Sequence, residues 1–169
     1  MGNKLLIAGC SILLLVGCKN AKTESADAVI SGMTSLAITI NDNDLTIMVP
    51  DSTNGKIEIV EQSWGATEIK IGKGFQIAIS EGLGDVTLKK SDVKADEVNK
   101  LKRFVKDEPS ILFWESAITE PEFHFYMTEK VGTLSYIIED IRELGFNEEE
   151  IQIMITAAKS IKLAAKSKS

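Results

Sequence analysis

The chain has 169 residues, enough for one domain with a sizeable hydrophobic core, and 19 Lys and Arg against 25 Asp and Glu leave a formal charge of −6. An acidic surface repels nucleic acid and anionic lipid, so no nucleic-acid partner is expected and the charge reads as a solubility feature. Both cysteines, Cys10 and Cys18, lie close to the N-terminus, which leaves the rest of the chain without a disulfide or a cysteine-ligated metal.

The chain opens with one basic residue, Lys4, and then runs almost unbroken apolar from Leu5 to Val16 before turning polar at Lys19 and Asn20. A short positive stretch followed by an apolar run too short to span a bilayer is the pattern of an export signal. Its end, Leu15-Val16-Gly17-Cys18, resembles the lipobox of bacterial lipoproteins. That resemblance implies cleavage before Cys18 and acylation of its thiol, so that residues 1–17 are a signal peptide and the protein is held to a membrane through lipid on Cys18. Ile7-Ala8-Gly9-Cys10 fits the same pattern, but the apolar run before it is only a few residues and more apolar chain follows. N-myristoylation is excluded because Leu6 stands where that motif needs Ser or Thr. Two acyl chains hold a protein stably where one does not. Lys19, rather than Asp, follows the cysteine, and within the lipoprotein resemblance this implies the outer membrane where a host has two. The expected localisation is the cell envelope.

Residues 18–30 are polar and without pattern, and read as a flexible tether; Val29 to Ser35 is either its end or an irregular first element. Residues 35–40 and 45–50 read as strands about a turn at 41–44, the second closed by Pro50. Asn54-Gly55, within 51–55, is a hairpin signal leading into 56–63, where alternation predicts a half-buried strand. Residues 66–72 and 75–80 continue the alternation, with Phe75, Ile77 and Ile79 on one face. After a loop at 81–85, residues 86–90 read as a short strand. Residues 92–106 change period: Val93, Val98, Leu101, Phe104 and Val105 predict a helix capped by Ser91 and stopped before Pro109. Residues 110–118 and 122–130 return to strand composition. Residues 133–144 fit either a helix face or a hairpin partner of 122–130, and the hairpin is preferred because Val131-Gly132 is a turn signal. Asn147 caps a final helix whose stripe is Ile151, Met154, Ile155, Ala158 and Ile161, with Lys159, Lys162 and Lys166 at its C-terminal end. Residues 166–169 are a frayed tail.

Chemistry-bearing residues are few. His124 is the sole histidine, set between Phe123 and Phe125 in a predicted strand, and reads as sheet packing or surface. No Gly-x-Ser-x-Gly elbow or phosphate loop is present; the glycine pairs in 71–75 and 81–85 read as tight turns. Asp42, Asp44 and Asp51 lie on neighbouring predicted turns that would bring oxygen ligands toward Ca²⁺, but turn formation alone explains them. Trp64, Trp114, Phe123, Phe125 and Tyr126 would line a sugar- or peptide-binding face, yet strand aromatics usually serve the core.

The expected fold class is α+β: a single antiparallel β-sheet of about six to eight strands with two helices packed on one face, spanning 31–165 as one domain. The expected function is a non-enzymatic binding or assembly module, with no catalytic residue, metal or cofactor assigned and Cys18 as the lipidation site. The partner is an unidentified envelope protein or ligand. The alternatives are a subunit of an envelope complex that docks a partner protein, and a hydrolase using carboxylates and His124.

Overall fold

The computed structural model describes residues 31–117, 119–141 and 145–165. The signal segment 1–17, the tether 18–30 with Cys18, and the tail 166–169 lie outside the described residues.

Two strands come first, β1 (Met33–Ile40) and β2 (Asn43–Pro50). Their two-residue turn is Asn41-Asp42, with φ of 46° and 63°. Positive φ at both positions gives a turn whose twist matches a hairpin, and Asn and Asp tolerate it better than other side chains. β1 therefore begins inside the stretch 29–35 that the sequence leaves open.

The next connection is not the expected hairpin. A 3₁₀ turn, Ser52–Asn54, is capped by Asp51 and leads to β3 (Ile57–Glu61), which pairs with β4 (Ala66–Ile71) and leaves β2 behind. Asn54-Gly55 marks a corner between two sheets. Gly55 has φ +141° and Gly72 has φ +57°, and the two backbones nearly touch. A Cβ on Gly55 would lie 2.7 Å from the Gly72 nitrogen, and one on Gly72 would lie 2.6 Å from the Asn54 oxygen. Only glycine fits such a crossing.

β5 (Phe75–Glu81) completes a meander with β3 and β4. Helix α1 (Val86–Ala95) then crosses to the far edge, where β6 (Lys100–Glu108), β7 (Ile111–Ala117), β8 (Pro121–Val131) and β9 (Leu134–Asp140) form a second meander that returns to β5. The result is a seven-stranded antiparallel sheet ordered β3-β4-β5-β9-β8-β7-β6. The hairpin reading of 133–144 holds over β9; residues 142–144 lie outside the described residues. Helix α2 (Glu148–Lys159) precedes β10 (Lys162–Leu163), which pairs with β2 in a three-stranded sheet, β1-β2-β10.

The α+β class stands, but the single sheet is corrected to two, and the helices do not share a face. Alternate residues of the large sheet enter different cores. Phe113, Phe125 and Ile138 pack with α2 and with Leu45, Ile47 and Val49 of the small sheet. Leu112, Trp114 and Tyr126 pack with Val86 and Val93 of α1 on the opposite face. The predicted strand at 86–90 and helix at 92–106 are likewise exchanged. Asp85, not Ser91, is the N-cap: its carboxylate accepts the Thr87 and Leu88 N–H groups at 2.8 and 2.9 Å. Ser91 lies inside the helix and donates to the Thr87 carbonyl. Asp96 ends the helix by accepting the Val98 and Asn99 N–H groups, and the chain leaves as β6.

Strand β3 is exposed on both faces, with Ile59 at 46% and Val60 at 41%, so the half-buried expectation fails there. The final helix forms as expected, with Asn147 and Glu150 closing a reciprocal capping box. It stops at Lys159, and Lys162 belongs to β10 instead of the helix end.

Candidate functional site

His124 is buried on the α1 side of the large sheet, with its ring centroid 5.5 Å from that of Trp114. The ladder between β8 and β9 stops at Tyr126–Glu139, and the Asp140 carboxylate takes the next position. Its Oδ1 accepts the Phe125 N–H at 2.7 Å, and its Oδ2 stands 2.8 Å from His124 Nδ1. An imidazole protonated at Nδ1 donates to this carboxylate and turns Nε2 toward Glu122, whose Oε2 is 3.8 Å away. The adjoining cavity is only about 40 Å³ and is lined by Val93, Asp96, Asn99, Trp114, Glu122 and His124. The space is small, and no hydroxyl or thiol side chain lines it. The geometry is that of a buried polar pair holding two strands together.

The other sequence candidates separate. Asp42 and Asp44 sit at the β1–β2 turn, while Asp51 follows the far end of β2. A whole strand divides them, so the Ca²⁺ grouping does not form. Asp51 instead accepts from Thr53 and Asn54, and the Thr53 hydrogen bonds hold its carboxyl below the usual range. Among the described residues no group of three or more His, Cys, Asp and Glu side chains is placed to hold a metal. The aromatic face also dissolves. Phe123 and Phe125 pack on the α2 side, Trp114 and Tyr126 on the α1 side, and Trp64 stands 64% exposed on the β3–β4 turn.

A wider concave surface among the described residues lies at the turn that carries Asp42 and Asp44. β1 ends the small sheet and β3 ends the large one, and two open cavities of about 420 and 440 Å³ lie between them. Both are lined by Thr39, Glu61 and Thr67. The first adds Asn41, Asp42 and the β3–β4 turn; the second adds Asp44, Leu45, Ile59 and Ala164. Among the lining residues are three carboxylates and no lysine or arginine.

The two outer edges of the large sheet differ. An unpaired strand edge templates further pairing unless charge or a bulge blunts it. β6 carries Lys100, Lys102, Arg103 and Lys106, and its register with β7 shifts twice, at Leu101–Arg103 and at Phe104–Lys106. β3 pairs with β4 without any shift and presents Ile59 and Val60. The sequence marks Asp42 as a turn residue and a candidate Ca²⁺ ligand, and Ile59 as a strand residue. Their meeting depends on the corner at Gly55, which has no alternation signal. Asp140 was accessible in principle: register counted outward from the Gly132-Thr133 turn sets it opposite Phe125.

Comparison with protein-family models, with curated proteins and with solved structures finds no match to this chain.

Proposed function

We propose that this chain is a non-enzymatic binding module of the cell envelope, held to a membrane by lipid on Cys18, that takes its partner along the open edge formed by β1 and β3. The observation that carries the reading is the contrast between edges: β6 is broken by two register shifts and guarded by lysines, while β3 is regular, with exposed Ile59 beside the groove and exposed Val60 on its other face. Addition of a partner strand to such an edge uses main-chain hydrogen bonds for affinity and neighbouring pockets for selection. The membrane part rests on Leu15-Val16-Gly17-Cys18, and the outer-membrane assignment on Lys19.

A photo-reactive residue replacing Ile59 tests the edge directly. Cross-linking in intact cells at position 59, with none at position 102 on β6, supports the reading; equal labelling of both edges, or none at 59, overturns it. The anchor is tested separately. Cys18→Ser should abolish incorporation of labelled palmitate and release the protein from membranes, and a Cys18→Ser chain that still takes up palmitate removes Cys18 as the lipid site.

A further inference from the structure

We infer that the occupant of this edge is an extended polypeptide segment of about five or six residues carrying basic side chains. The inference rests on the edge-binding reading and adds the chemistry of the partner. Strand β3 spans Ile57–Glu61 in regular antiparallel register with β4, so alternate residues direct N–H and C=O groups outward over that length. Successive side chains of a strand point to opposite faces, and Ile59 and Glu61 are the pair that lines the groove. On the other wall, the β1–β2 turn contributes Asp42 and Asp44. An added strand therefore sets one side chain beside an apolar residue, Ile59, and the next on that face among Glu61, Asp42 and Asp44. No lysine or arginine among the lining residues offsets these carboxylates. Three carboxylates lining a partly enclosed groove favour the opposite sign and penalise their own. An acidic strand meets like charge here, and an all-apolar strand brings no donor to Glu61 and Asp42, although Asp44 already accepts from the Thr39 hydroxyl at 3.0 Å.

The test uses the full chain in a non-ionic detergent and two blocked heptapeptides, one alternating valine with lysine and the other alternating valine with glutamate. Amide exchange measured by NMR or mass spectrometry locates binding. The lysine peptide is expected to slow exchange in β3 and to bind at least about tenfold more tightly than the glutamate peptide, since two charge contacts of ordinary strength amount to about that factor. Glu61→Gln should bring the two peptides closer together in affinity. Ile59→Lys should weaken the lysine peptide while leaving the fold intact, because Ile59 is half exposed. Equal or tighter binding of the glutamate peptide at β3 overturns the basic partner while leaving the edge reading in place. Binding confined to another strand, or to neither peptide, overturns the inference. So does slow exchange of the outward-facing β3 amides before any peptide is added, which means that a second copy or the chain's own residues 18–30 already occupy the edge. Cross-linking at position 59 in cells then decides the edge reading independently.

Discussion

A single carboxylate, Asp140, closes the gap where β8 and β9 part, by serving one backbone N–H and one imidazole at once. Truncating a partner of a buried polar group leaves the other unsatisfied, at a cost of about 1–3 kcal/mol. His124→Ala should therefore lower the unfolding free energy obtained from urea denaturation by that much, even though the residue reads from sequence as packing or surface. An unchanged midpoint would show that Asp140 is satisfied by the Phe125 N–H alone. Tyr136 is the opposite case: it is fully buried, and its hydroxyl has no hydrogen-bond partner among the described residues. Burial, and then the Glu81 charge, push its phenol above the ordinary value of 10.0, and burial does the same at Tyr126. The unfolded chain then ionises first as the solution becomes alkaline. Stability carried by the neutral phenols is intact below about pH 10 and is lost as pH rises through the folded-state values. Tyr136→Phe should raise the unfolding free energy at neutral pH by about 1 kcal/mol, since it deletes an unpaired buried hydroxyl. It should also flatten the alkaline fall of the melting temperature. A parallel alkaline limb in the two proteins would refute the assignment to Tyr136.

At the level of elements, the same residue type has opposite weights in two places. Ile155 on α2 is buried between the sheets, and Ile155→Ala should cost about 2–5 kcal/mol. Ile59 on β3 is half exposed, and Ile59→Lys should stay within about 0.5 kcal/mol of the parent. Denaturant midpoints measured side by side check both. Elements with one clean period are legible in the sequence. The strands at 35–40, 75–80 and 122–130 alternate, and α2 announces itself by the Asn147 cap and a stripe of period 3.6. β6 is misread for a physical reason. Its two register shifts each insert an extra residue, so Leu101, Phe104 and Asp107 come to face one side at intervals of three. That spacing imitates a helix. The same shifts make β6 a poor template, so what hides the strand from pattern reading also helps guard its edge. The groove is illegible for another reason: its walls belong to different sheets, and a corner made by two glycines brings them together.

On the scale of the whole molecule, α2 and the small sheet together seal one face of the large sheet. Ile151, Met154 and Ile155 bury fully or nearly so, at about 1.5–3 kcal/mol each, against a total stability of about 5–15 kcal/mol for such a domain. Removing residues 147–169 should leave a chain without cooperative melting by circular dichroism. Removing only 162–169 is a milder change. It takes away β10, which covers Leu45 and Thr46 of β2, and bares that edge. The expected result is a folded protein that forms dimers or larger species on size-exclusion chromatography with light scattering. A monomer of unchanged elution volume would show that two paired residues give no protection.

The small sheet joins parts of the chain that are far apart. The Met48 N–H donates to the Ser160 hydroxyl at 2.7 Å across 112 residues of sequence, and Leu45 pairs with Leu163. The two meanders of the large sheet, by contrast, are built from neighbours. Contacts that close long loops form slowly, because chain entropy is lost before they return anything. Folding should therefore begin in the meanders, with the first hairpin waiting for α2. Until then Leu45, Ile47 and Val49 lie along an uncovered apolar ribbon. The hairpin that is synthesised early is completed late, and a chaperone that grips extended apolar chain would find its target there.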